Sequence, residues 1–262
     1  QQNYAMTLHE FKVIFWGEWA HRFLGRLIGI LFLIPLIFFT FKESFKKLFN
    51  LYLIFFLICF QGFLGWYMVS SGLINRVDVS HFRLSFHLII AFFIISLILW
   101  NYLNLRVKRN FTDKLNYCIP FIFLFLIFCQ ITIGAFVSGM DAGQIYNSWP
   151  LMGSSYFPDD NKIINIFKLS AFNDASLVQF MHRNLAYVIL VFYLIILIKI
   201  YKKKLINLYF AISLVGVLLF VQILLGIFTL LYGAQILLAS MHQISSIFLV
   251  SSSVYLLYLN TK

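Results

Sequence analysis

The sequence predicts an all-α integral membrane protein, with seven transmembrane helices here drawn from two pseudo-symmetric four-helix bundle halves. Composition, a run of apolar windows and an alternation of loop charge carry that prediction. Of 262 residues, 62% are hydrophobic and only 11% charged, and the mean hydropathy is +0.90. Soluble domains sit near half apolar and a quarter charged. Apolar windows of about 20 residues recur near 19–40, 51–71, 82–103, 117–138, 177–200, 205–231 and 234–259, each long enough to cross about 30 Å of hydrocarbon as a helix. The net charge of +11 would suggest a nucleic-acid partner in a soluble chain. Here it follows from topology, and no nucleic acid is expected.

The loops separate into two sets. One carries Lys42, Lys46 and Lys47, then Arg106, Lys108, Arg109 and Lys114, then Lys199, Lys202, Lys203 and Lys204, with Lys262 in the tail. The other holds Lys12, Arg76, Lys162 and Lys168 beside six of the nine acidic residues. Positively charged loops stay inside, so residue 1 lies outside and residue 262 in the cytoplasm or matrix. Residues 139–176 form a long outer loop whose "DAGQIYNSWPLMG" combines turn formers with interfacial aromatics. The three cysteines, Cys59, Cys118 and Cys129, fall inside apolar runs, form no CxxC pair and are expected to be packing residues.

An internal repeat refines the architecture. "QGFLGWYMVSSG" at 61–72 matches "QILLGIFTLLYG" at 222–233 in its Gln and Gly spacing, and "QITIG" at 130–134 is a third copy of Gln-x-x-x-Gly. "HRFLGRLIGILF" at 21–32 resembles "HRNLAYVILVFY" at 182–193. The second half reads as four helices, with His182 on its second and His242 on its fourth. His21 and His87 take the same places in a first half that lacks its opening helix. Together with a first residue that is Gln, this leads to the expectation of an N-terminally truncated chain from an eight-helix parent, with residues 1–110 and 111–262 as its halves.

His21, His87, His182 and His242 lie inside spans, each a few residues from the outer end. Two helices of a four-helix bundle can face each other across the core and so place imidazoles on both sides of a flat cofactor, as in a bis-histidine haem. The alternative is that each merely hydrogen-bonds a neighbouring helix. His9 and His81 read as solvated loop residues, with His81 a spare ligand candidate. Arg22, Arg26, Arg83 and Arg183 follow or flank the histidines, suited either to haem propionates or to snorkelling towards lipid headgroups.

Glu18 and His21 share a helical face at i, i+3. Di-iron bundles use such pairs, but they need two of them plus two further carboxylates, and Glu18 is the only acid within or at the mouth of a span. Six histidines are too few for a membrane desaturase site. Zinc wants three or four converging ligands. Haem remains. Gln179 occupies the position matching Glu18 in the second half, so a carboxylate in one half alone points to proton transfer or charge stabilisation there. The alternative is an interfacial acid paired with Arg22 or Arg83.

"EFKVIFWGEWAHRFLGRLIG", "VSHFRLSFHL", "DAGQIYNSWPLMG" and "LVQFMHRNLAY" together resemble the haem A synthase family of the alphaproteobacterial and mitochondrial type, over essentially the whole chain. The resemblance implies eight helices in two halves, and oxidation of a ring methyl of haem O through an alcohol to a formyl group, giving haem A for cytochrome oxidase. By motif it implies that His21 and His87 hold the substrate haem, that His182 and His242 are axial ligands of a haem b cofactor, and that Glu18 is essential to the oxidation. It also implies haem O synthase and a redox partner as partners, in a bacterial plasma membrane in preference to the mitochondrial inner membrane. A homo-oligomer is compatible with it. His81 departs from the family pattern, standing where a proline is expected, and the outer-loop cysteine pair of the other bacterial subtype is not visible. Two other classes remain: a non-enzymatic two-haem electron carrier resembling the b561 cytochromes, which leaves Glu18 unexplained, and a repeat transporter, which would show helices broken near mid-membrane.

Overall fold

The computed structural model describes residues 6–72, 79–107 and 114–261. Seven helices are long and apolar enough to cross a membrane: α1 (Leu8–Thr40), α2 (Phe45–Gly72), α3 (His81–Arg106), α4 (Cys118–Gly139), α5 (Ala175–Lys202), α6 (Tyr209–Leu231) and α7 (Ile236–Leu259). Arg76, Asp78, Lys108, Arg109 and Lys262, which entered the charge reading, lie outside the described residues.

Helix α1 starts well before the predicted window. Thr7 and Glu10 form a capping box, each side chain bonding the other's backbone N–H, which satisfies donors left over at a helix start. The helix then runs 33 residues, about 50 Å at 1.5 Å per residue. His9 is therefore a helical residue of its first turn and His81 the first residue of α3, where the sequence reading had both in loops. Cys59 and Cys118 also depart from expectation, being exposed, while Cys129 is half-buried. A small apolar residue suits a lipid-facing position as well as a packed one, because lipid tails are as apolar as a core.

Packing divides the chain into two compact units, residues 1–83 and 84–262. In the first, α1 meets α2 through stacked Phe32 and Phe55 and the Thr40–Tyr52 hydroxyl pair at 2.7 Å. In the second, α4 packs on α5 and α7, and α6 packs on α7 and α5. That order puts α5 and α7 at opposite corners of a four-helix bundle. Phe123 and Ile127 of α4, Ile189, Ile196 and Ile200 of α5, Ile212 and Val215 of α6, and Val250 and Val254 of α7 form one buried cluster. Their spacing of three, four or seven along each helix is that of a single core-facing stripe. The cluster fills the half of the bundle away from the outer loop. Tyr258 of α7 ties in α3 by donating to the carbonyls of Leu103 at 3.0 Å and Val107 at 3.2 Å. Asn260 clamps both backbone groups of Leu115.

Candidate functional site

His182 sits on α5, two turns past a capped start. Asp174 is the N-cap, accepting from the Leu177 N–H at 3.0 Å. Burial pushes its carboxyl up, but the bonds from Leu177, Ser176 and Asn161 outweigh that and hold it below the usual aspartate range. The cap is therefore in place above the unfolded-state pKa and is lost as pH falls through the lower folded value.

From α4, the Gln130 amide donates to the His182 carbonyl at 3.0 Å and lies 3.3 Å from its ring Nε2. One turn on, a Cβ at Gly134 would stand 3.0 Å from His182 Cε1. The same arrangement recurs between α6 and α7. Gln222 donates to the His242 carbonyl at 3.0 Å and lies 3.4 Å from Nε2, and a Cβ at Gly226 would stand 3.0 Å from His242 Cε1. In both rings Nδ1 is buried with no partner. The helices bearing the rings occupy opposite corners of the bundle. Side chains at this level are half-buried, where the core beyond them is closed. Two opposed imidazoles, each with an unpartnered nitrogen, fit axial ligation of a haem. Among the described residues no group of three or more His, Cys, Asp or Glu is placed to hold a metal ion directly, as zinc or di-iron would require.

The outer loop closes over this end. Arg183 donates to the carbonyls of Tyr146 at 2.9 Å, Ser148 at 2.9 Å and Leu151 at 3.3 Å. Gln179 donates to Tyr146 O at 3.1 Å, and Tyr187 accepts from the Trp149 indole at 2.9 Å. Residues 179, 183 and 187 form one stripe of α5 at i, i+4, i+8. Gln179, the counterpart of Glu18, is thus a loop tether that needs an amide donor. Replacing Arg183 by alanine removes three bonds from a charged donor, about 1–2 kcal/mol net. Limited proteolysis within 146–160 is expected to run five- to thirtyfold faster, and an unchanged cleavage rate would show that the loop is held elsewhere.

The other predicted residues have their own settings. Glu18 accepts from Arg22 at 2.9 Å across one helical turn, and both side chains are exposed, 62% and 55%. His21 and Arg26 are exposed on the same helix. Arg83 lies 5.0 Å over the Tyr67 ring. His81 and His87 are half-buried on α3. The sequence singles out four histidines as candidates but assigns nothing to Gln130, Gly134, Gln222 or Gly226; the signal is the repeated Gln-x-x-x-Gly.

A family model described as a cytochrome oxidase assembly protein (COX15-CtaA) matches residues 1–254. The chain belongs to this family. Its similar members include proteins named haem A synthase from Pelagibacter ubique (strain HTCC1062), 48% identical over 99% of this chain and 77% of the relative, and from Rickettsia bellii (strain OSU 85-389), 42% identical over 95% and 76%. Another from Rickettsia akari (strain Hartford) is 42% identical over 98% and 78%. The chain thus spans about three quarters of the length of these family members. No solved structure matches it.

Proposed function

We propose that the protein is a haem A synthase, oxidising a ring methyl group of haem O to a formyl group through an alcohol. What carries this is the 48% identity to a haem A synthase over 99% of the chain, within a family matched from residue 1 to 254. The paired histidine cradles support it, since they provide a cofactor site in the second bundle.

In this reading the functional halves follow the sequence repeat, 1–110 for the substrate and 111–262 for the cofactor. His182 and His242 hold a haem b by its iron. When bound, that group supplies one-electron transfer between the substrate side and an outside redox partner. His21 and His87 hold haem O. Glu18, one turn from His21 on α1, positions water or stabilises positive charge beside the reacting methyl. Arg22, Arg83 and Arg183 are candidate propionate contacts, since a guanidinium can bind a carboxylate through paired N–H donors. Haem O synthase is the class of enzyme that supplies the substrate, and the location is the bacterial plasma membrane.

The test is to purify the protein from a host supplied with haem O, extract its haems, and identify them by chromatography and mass spectrometry. Haem B together with haem O, its hydroxylated form or haem A is the expected result. Two equivalents of haem B alone, with haem O available, would overturn the synthase reading in favour of an electron carrier.

A further inference from the structure

We propose that Gln130 and Gln222 are positioning residues for the two haem-ligating histidines, each forming with the glycine one turn on a clamp that fixes the imidazole's orientation. This rests on the haem b reading of His182 and His242. Each glutamine amide meets the histidine at two places. Its donation to the histidine carbonyl, 3.0 Å in both cases, uses the second lone pair of an oxygen already engaged in its own helix. That anchor involves no ring atom, so it persists whichever ring nitrogen takes the iron. It also fixes the register of α4 on α5, and of α6 on α7, at the ligand level.

The glycine supplies the adjoining surface. Residues i and i+4 share a helical face, so Gly134 and Gly226 follow their glutamines along the surface that meets the ring. Each ring's Cε1 lies 3.0 Å from where a Cβ would stand, closer than a side chain is tolerated without displacing the ring. The imidazole thus rests on one helix face, against an amide at one level and bare main chain one turn on. The constellation appears twice, on separate helix pairs, although the residues between Gln and Gly differ (Ile-Thr-Ile against Ile-Leu-Leu). The copies differ in support. The Ser245 hydroxyl lies within hydrogen-bond reach of both Gln222 Oε1 and, at 2.9 Å, the His242 carbonyl, whereas Gln130 Oε1 is buried without a partner. The His242 clamp is therefore the stiffer of the two.

Outer-shell groups that orient a ligating histidine tune the metal's spectrum and potential, which provides a readout separate from activity. The experiment compares the purified haem-loaded protein with Gln130→Leu and Gln222→Leu by electron paramagnetic resonance of the ferric haem and by redox titration. Ser252→Ala, a buried α7 position whose hydroxyl bonds only Leu249 O of its own helix, reports generic packing damage. Both glutamine variants are expected to keep haem but to shift the low-spin ferric signal and the midpoint potential, with Ser252→Ala matching the parent. Ser245→Ala is expected to give a smaller shift than Gln222→Leu. Leucine variants that keep the parent's signal and potential overturn the clamp. If they do not accumulate, glutamate would not serve in their place. A buried glutamate would be neutral and could still donate, so the readout that decides is Gln130→Met and Gln222→Met, whose thioether has similar length and no donor; a shift is again expected and its absence overturns the proposal. A parent protein without a low-spin bis-histidine signal overturns the haem reading itself, and with it the clamp. That failure is distinct because it shows before any glutamine is changed.

Discussion

On the proposed haem b reading, alanine at His182 or at His242 is expected to reduce haem B recovered per polypeptide at least tenfold while α4–α7 still fold. Two opposed axial bonds are what retain the iron in a bundle of this kind, and no third His, Cys, Asp or Glu is grouped with them among the described residues to take over. Removing one imidazole also leaves a cavity beside Gly134 or Gly226, where the main chain offers no side chain to fill it. The buried cluster of Ile189, Ile196, Val215 and Val250 lies in the other half of the bundle, so helix packing should survive and the variants should still be recovered from membranes. Haem B content and the ferric low-spin signal check this. Parent-level haem B in both variants would move the cofactor site elsewhere. Alanine at His21 or His87 is expected to do the reverse, sparing haem B and lowering bound haem O.

Glu18→Gln is expected to lower haem A formation by about 100-fold or more, the usual scale for losing a positioned acid or base, while leaving haem B content and thermal stability at parent values. The structure makes the stability half of this expectation sharp. Glu18 and Arg22 form an i, i+4 pair with both side chains more than half exposed, and such pairs contribute at most about 1 kcal/mol. If the glutamate were only an interfacial acid, the variant would make haem A at the parent's rate, and the catalytic role would fall. The measurement is haem A per haem B in cells supplied with haem O. Taking the ratio to haem B separates lost chemistry from lost protein.

Much of the architecture was legible because a membrane leaves few options. A backbone in hydrocarbon must satisfy its own hydrogen bonds, so an apolar run of about 20 residues is already a helix, and all seven windows became one. Boundaries were less legible where polar residues continue a helix into the interface. The apolar window begins near residue 19 and His9 reads as a loop residue, yet the Thr7–Glu10 capping box starts α1 at Leu8. The box is written in the sequence as Thr-x-x-Glu, a polar start signal that hydropathy does not register. Cys59 and Cys118 went astray for a related reason. Within an apolar span, hydropathy does not distinguish the lipid face from the core face.

The sequence by itself determined the seven helices and displayed the repeat and its four candidate histidines, because each is encoded in local composition or in residue spacing along one chain. It also contained Gln-x-x-x-Gly in three copies without showing its purpose. Only the tertiary structure decided that two of these copies belong to the histidines. The partner of Gln130 lies 52 residues away on α5, and that of Gln222 lies 20 residues away across a turn on α7. A spacing along one helix states which residues share a face. What that face meets depends on helix order and register, set here by the packed core and by clamps such as Asn260 on Leu115, and no single segment encodes it.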